Sequence, residues 1–251
     1  MRVPMKTLVC SAVLTAVFVC SGPSLLSGEE AQVAPAGGRV ILVDDFERAD
    51  GSAEKDGIGN GWETNSASRA KGHKQVTLKN GAMYIATHAE ANHGASVRHD
   101  AAFTDGSLEL RFMLEHDGDI LGLDFADLQC KEVHAGHLFK VAVGTKKLEI
   151  DDSKFGGMSM KFYEQKLAKT LTPEQKKLIA AKKKVFPVDL QIGTWYRIRV
   201  EIAGDKVDVL LDGKPVGSSR SEGFAHPTKR MLRLAVPKQA VVDDVKMVSR
   251  S

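Results

Sequence analysis

The last quarter of the chain is a run of short strand-forming segments joined by tight turns, and it constrains the architecture more than any other stretch. Gly193-Thr194-Trp195-Tyr196-Arg197-Ile198-Arg199-Val200-Glu201-Ile202 leads through Gly204-Asp205 into Lys206-Val207-Asp208-Val209-Leu210-Leu211. Asp212-Gly213-Lys214 follows, and Val241-Val242-Asp243-Asp244-Val245-Lys246-Met247-Val248 makes a final strand. Asp-Gly and Gly-rich pairs reverse the chain between antiparallel strands because their backbones accept positive φ.

The rest of the chain extends this β pattern. Val40-Ile41-Leu42-Val43 opens the domain, ahead of Asp44-Asp45-Phe46-Glu47-Arg48 and a Gly-rich loop that ends at Trp62. Val76-Thr77-Leu78 and Ala82-Met83-Tyr84-Ile85-Ala86 flank an Asn80-Gly81 turn and predict a hairpin. From Ser107 to Glu115 the residues alternate strictly, with Leu108, Leu110, Phe112 and Leu114 on one face and Glu109, Arg111 and Glu115 on the other. Further strands are expected over 120–128, 137–143 and 147–151. The region 152–190 breaks this rhythm. Thr172-Pro173-Glu174-Gln175 is a helix start with a capping box, predicting a helix to about Lys184. Its lysines, Lys176, Lys177, Lys182, Lys183 and Lys184, read as a solvated face, and contact with an anionic polymer is the sharper alternative.

A length of 251 residues suits one large all-β domain or two small ones, and 43% apolar residues can fill a core. The net charge of +3, with basic residues not interleaved with aromatics, argues against nucleic acid. At the N-terminus Arg2 and Lys6 precede an apolar run from Leu8 to Val19 that is short for a bilayer span. Residues 1–28 read as an export signal and 29–38 as a linker. The mature chain, 39–251, then has no transmembrane span and is periplasmic or extracellular. Cys10 and Cys20 leave with the signal and Cys130 remains alone, so the core and not disulfides must hold the fold. Cys130 reads as a buried, inert thiol.

Asp44 to Arg48 with Gly61-Trp62, together with Gly193 to Gly213, Gly223-Phe224-Ala225-His226-Pro227-Thr228-Lys229 and the final Asp-Asp strand, resemble the concanavalin A-like lectin/glucanase (LamG-like) sandwiches. More narrowly they resemble the 3-keto-disaccharide hydrolase domain of exported bacterial proteins. The likeness covers about residues 40–250, with 152–190 as an insertion. It implies an all-β jelly roll of two antiparallel sheets, one of them concave and able to hold a saccharide.

The glucanases of this fold place catalytic carboxylates on one strand as Glu-x-Asp-x-x-Glu, and that motif is absent here. Asp124 and Asp127 would lie on opposite faces of their strand. Asp124 has apolar strand neighbours and would be costly to bury alone. We expect a polar sheet face built from Glu109, Arg111, Asp124, His134 and Lys140, since arginine and carboxylate suit hydroxyl-rich ligands. In a hydrolase, Asp124 or Glu109 would be acid or base and His134 would assist. In Glu132-Val133-His134-Ala135-Gly136-His137, an extended backbone puts Glu132 and His134 on one face and His137 opposite, where His137 is a further substrate contact. Trp62 is a candidate sugar platform. Asp45 and Asp244 could meet between the first and last strands and bind a structural Ca²⁺. His88, Glu90, His93 and His99 fall in a stretch that reads as a solvated loop. Three functions remain open: a carbohydrate-binding domain, a hydrolase of 3-keto-disaccharides, and an envelope interaction protein. The proton beside a keto-sugar carbonyl is acidic, so such chemistry would need a catalytic set unlike the glucanase one.

Overall fold

A computed structural model describes residue 1 and residues 38–250. The expected export signal beyond Met1, with Cys10 and Cys20, and the linker up to residue 37 lie outside the described residues.

In chain order the elements are β1 (Arg39–Asp44), β2 (Glu63–Thr64), α1 (Ser66–Arg69), β3 (Val76–Lys79), β4 (Ala82–Ala86), β5 (Ala95–Phe103), β6 (Gly106–Met113), β7 (Ile120–Ala126), β8 (His137–Gly144) and β9 (Lys147–Asp151). They continue with α2 (Met160–Leu167), α3 (Pro173–Ala181), β10 (Lys183–Pro187), β11 (Trp195–Ala203), β12 (Lys206–Leu211), β13 (Lys214–Arg220), β14 (Lys229–Val236) and β15 (Gln239–Ser249). Two antiparallel sheets result, confirming the jelly-roll sandwich. The first runs β13-β12-β11-β6-β15-β4-β3, with β1 also on β15, and the second runs β10-β9-β8-β7-β14-β5-β2.

Period-two alternation turns one face of each sheet inward. Leu108, Leu110 and Phe112 of β6, Ile198, Val200 and Ile202 of β11, and Leu121, Leu123 and Phe125 of β7 are all fully buried. They meet in one apolar core between the sheets. The predicted hairpins form, with Asn80 and Gly81 at φ 54° and 67° and Asp212 and Gly213 at 47° and 74°. Positive φ at both turn residues matches the right-handed twist of the strands.

The insertion agrees at its start and departs at its end. The Thr172 Oγ1 accepts from Gln175 N at 3.2 Å, and Gln175 Oε1 accepts from Thr172 N at 2.9 Å. The helix stops at Ala181, three residues before the expected end, and Lys183–Pro187 pairs instead with β9. Hydrogen bonding to an otherwise open edge strand, with Lys183 Nζ 2.8 Å from Glu149, overrides helix propensity there. Cys130 is half-buried against the core rather than enclosed in it.

Lys229 is fully buried, and its Nζ donates to the Thr104 carbonyl at 2.6 Å. Burial lowers its pKa from 10.5 to about 8. Between those values the unfolded chain holds a proton that the folded chain releases, so stability rises with pH across that window. Below pH 8 the buried charge costs about 3 kcal/mol. Lys229→Met forfeits one hydrogen bond, so a net gain of about 1–2 kcal/mol is expected at pH 7. Urea titrations at pH 7 and pH 10.5 check this. A variant less stable than the parent at pH 7 would show that the Thr104 bond and the nearby Asp105 carboxylate outweigh the cost of burying the charge.

Candidate functional site

A cavity of about 540 Å³ opens on the outer face of the second sheet. Its floor is Asp124 of β7 and Arg233 and Ala235 of β14; Ser96 and Arg98 of β5 join them. Asp124 sits directly across from Arg233 on one side and Lys140 on the other, so all three share a face.

His137 reaches the same face through a bulge. Phe125 pairs with Phe139, but Ala126 pairs with His137, leaving Leu138 as the extra residue of β8. Strict alternation from Lys140 would turn His137 toward the core, and the extra residue reverses that. Just before it the chain makes a tight turn with Ala135 at φ 50° and Gly136 at φ 75°. A Cβ on Gly136 would lie 2.5 Å from the Asp127 carbonyl oxygen, so this position requires glycine. The turn carries His134 round to the cavity, with its ring centroid 6.4 Å from that of His137.

The inner contacts are short and asymmetric. His137 Nδ1 lies 2.6 Å from Asp124 Oδ2, and Arg233 Nη1 lies 3.5 Å from the same oxygen. Arg233 Nη2 donates to the Ala135 carbonyl at 2.6 Å, tying the turn to β14. Asp124 is 2% exposed, and its other oxygen, Oδ1, has no hydrogen-bond partner among the described residues. A buried acceptor of this kind needs a donor, and a hydroxyl-bearing ligand in the cavity would supply one.

His134 stacks on Tyr163 of α2, with centroids 3.7 Å apart and planes at 9°. Its backbone N–H donates to the Met158 carbonyl at 2.8 Å. The inserted segment therefore braces one wall of the cavity. Burial, and then the neighbouring His137, Arg69 and Arg233, hold the His134 pKa below its ordinary value, which keeps the ring neutral at neutral pH. The opposite wall comes from α1 and the 87–94 loop, through Asn65, Ser68, Arg69 and His93. Arg98 pairs with Glu63 at 2.7 Å. No ion pair of Arg69 occurs among the described residues, which leaves it the uncommitted cation of the cavity.

Asp124, His134 and His137 thus converge, and the other expected residues do not join them. Glu109 and Arg111 belong to β6 in the first sheet, whereas β7 belongs to the second. Glu109 is held by Arg197 at 2.8 Å and Arg199 at 3.3 Å, and Arg111 by Asp243 at 3.2 Å, with its guanidinium over Trp195. Trp62 is not a sugar platform: it is 7% exposed, and its Nε1–H donates to Asp44 Oδ2 at 2.8 Å. Lys140 shares Asp124's face but is not among the cavity-lining residues. Of the pair expected to bind calcium, Asp45 and Asp244, each has partners within the chain. Asp45 accepts from Glu47 N, and Asp244 lies 3.6 Å from both Arg111 and Arg197. Cations of the protein already neutralise that carboxylate. Asp127, expected away from Asp124, pairs with His226 Nε2 at 3.2 Å.

Arg233, Arg69 and Arg98 were not anticipated. Arg233 carried a readable signal, as the lone charge within Met231-Leu232-Arg233-Leu234-Ala235-Val236. Arg69 and Arg98 carried none, since nothing local distinguishes them from surface arginines.

No curated protein matches the sequence. Among solved structures the chain is similar to the laminarinase of Rhodothermus marinus, with 11% identity, a TM-score of 0.54, and coverage of 84% of this chain and 97% of that one. It is also similar to SCLam, a non-specific endo-β-1,3(4)-glucanase of family GH16, at 12% identity, a TM-score of 0.54, and 86% and 93% coverage. The laminarinase catalytic domain of Thermotoga maritima gives 13% identity, a TM-score of 0.51, and 85% and 98% coverage. At such identities the shared property is the fold. The sequence profile of the 3-keto-alpha-glucoside-1,2-lyase-like domain matches residues 51–235, a span that runs from β2 into β14 and contains every residue named on the cavity floor, and the chain accordingly belongs to that family.

Proposed function

We propose that the protein is an exported enzyme that splits 3-keto-α-glucosides by elimination across C1 and C2. The observation that carries this reading is the Asp124–His137 pair at the floor of the cavity, with the buried Asp124 Oδ1 still lacking a donor. Such a pair is a general base with its orienting carboxylate. With Nδ1 turned to Asp124, His137 Nε2 is the nitrogen left to accept a proton.

A carbonyl at C3 makes the C2 hydrogen acidic. His137 removes that proton, and the electron pair of the C2–H bond delocalises onto the C3 oxygen as an enolate. Arg69, cationic and uncommitted, stabilises this charge as it develops. Collapse of the enolate forms the C1–C2 double bond and breaks the bond from C1 to the glycosidic oxygen. The departing oxygen takes up a proton from solvent while the protonated His137 returns one to solvent, and the neutral His134 donates a hydrogen bond to that oxygen. The products are a 1,2-unsaturated 3-keto sugar and a free alcohol, and no water is consumed. Water addition to the double bond would make the sum a hydrolysis. A cavity of this size accommodates a disaccharide-sized ligand. Elimination also accounts for the missing glucanase carboxylates, which serve an oxocarbenium route that this one bypasses.

The test is incubation of a 3-keto-α-glucoside in D₂O. Growth of enone absorbance, with deuterium entering recovered substrate or hydrated product at C2, is expected, and Asp124→Asn should slow it at least about 100-fold. Saturable binding without turnover would favour a carbohydrate-binding domain instead. Turnover without deuterium at C2 would favour direct hydrolysis.

A further inference from the structure

We propose that His73, His88 and Glu90 form a binding site for a zinc-class divalent cation, which clasps the two loops bearing Arg69 and His93. Away from the cavity floor, these three side chains bring one ligand atom each to within 4.8 Å of one another, and among the described residues theirs is the cluster that does so. His73 Nε2 and Glu90 Oε1 are 3.3 Å apart. Two ligand atoms bound tetrahedrally at about 2.05 Å from zinc are separated by about 3.3 Å, so that edge of the polyhedron is already set. Two imidazoles and a carboxylate suit zinc or a neighbouring first-row metal rather than calcium or magnesium. The fourth position would hold water.

The ligands come from separate segments. His73 lies between α1 and β3, and His88 and Glu90 lie between β4 and β5. Each segment is fixed by contacts that do not involve the cluster. His73 N donates to the Ala70 carbonyl at 2.9 Å, His88 N to Gln75 Oε1 at 3.0 Å, and Asn92 N to the Arg69 carbonyl at 2.9 Å. The imidazoles are stacked, with centroids 4.1 Å apart and planes at 16°. The two rings and the Glu90 carboxylate thus offer one shared cation two nitrogens and an oxygen. Lys71 holds the other oxygen, Oε2, at 2.8 Å and so orients the carboxylate. The weak bond from Glu90 N to His88 Nδ1, 3.2 Å long, is the contact a metal would have to replace if it took that nitrogen. A cation here ties His73 to the 87–94 loop. It thereby steadies Arg69 and His93, which line the cavity from those two segments.

The experiment uses tag-free, metal-stripped protein titrated with Zn²⁺ by calorimetry and with Co²⁺ by absorption. The expected result is one tightly bound equivalent, visible d–d bands, and greater hydrogen-exchange protection of amides in 70–75 and 87–94 with Zn²⁺. His73→Ala and His88→Ala should each weaken binding more than tenfold, while His93→Ala and His116→Ala leave it unchanged. No stoichiometric binding, or binding that survives in the His73→Ala/His88→Ala double variant, overturns the proposal. Neither measurement uses turnover, so it stands or falls apart from the lyase reading.

Discussion

Replacing His137 with alanine should lower kcat on a 3-keto-α-glucoside by about 10²–10⁴-fold, the span that a positioned general base contributes. The fold should survive, because the side chain is 27% exposed and sits at the start of a strand rather than in the core. KM should change little, since the sugar hydroxyls would still meet Asp124 and Arg98. The decisive readout is deuterium exchange at C2, which isolates proton removal from loss of the leaving group. A base role requires exchange and elimination to fall together. If His137→Ala still turned over within tenfold of the parent, another group would have to be the base. Exogenous imidazole should restore part of the exchange rate, because the substitution opens a space of the ring's own shape.

The largest stability effect is expected from Arg233→Met. Arg233 is 9% exposed on its side chain and faces a carboxylate that is 3% exposed. The substitution removes the cation beside Asp124 and the donor to the Ala135 carbonyl in one step. Breaking a buried pair from one side costs about 3–5 kcal/mol, because a charge stays behind in a poor solvent. For a domain of this size that lowers Tm by roughly 6–20 °C. The remedy separates the causes. Arg233→Met combined with Asp124→Leu leaves no buried charge and should recover much of the loss, though not the activity. A double variant no more stable than the single one would show that Arg233 acts mainly through the Ala135 turn. Scanning calorimetry on the parent, Arg233→Met and the double variant makes the comparison.

The parts of this molecule legible in its sequence are those fixed by neighbours along the chain. The alternation of β6 and the Asn80-Gly81 and Asp212-Gly213 turns are local, and so is the Thr172 cap. Asp124 could be picked out because a lone carboxylate in an apolar strand needs a partner wherever it lands. What failed depends on long-range choices. Glu109 and Asp124 lie on successive strands, yet the chain crosses from one sheet to the other between them, and alternation within a strand does not say which sheet it joins. Trp62 looked available because its partner, Asp44, lies in another strand. The end of α3 was misplaced because β9 offers a better use for the next residues than another helical turn. Residue types in the site were readable, whereas their assembly was not.

The bulge at Leu138 gives the site a dependence on counting. His137 faces Asp124 because the segment between Ala126 and Phe139 has its particular number of residues. Changing the identity of Leu138 alters packing; deleting it turns every residue before it in the strand to the other side of the sheet. A library of single substitutions would therefore report position 138 as tolerant of apolar exchange. A library of single-residue deletions would report the same position as among the most sensitive in the protein. Length, rather than chemistry, is the inherited quantity at that point. A mutational record made only of substitutions would miss the constraint that brings imidazole and carboxylate together.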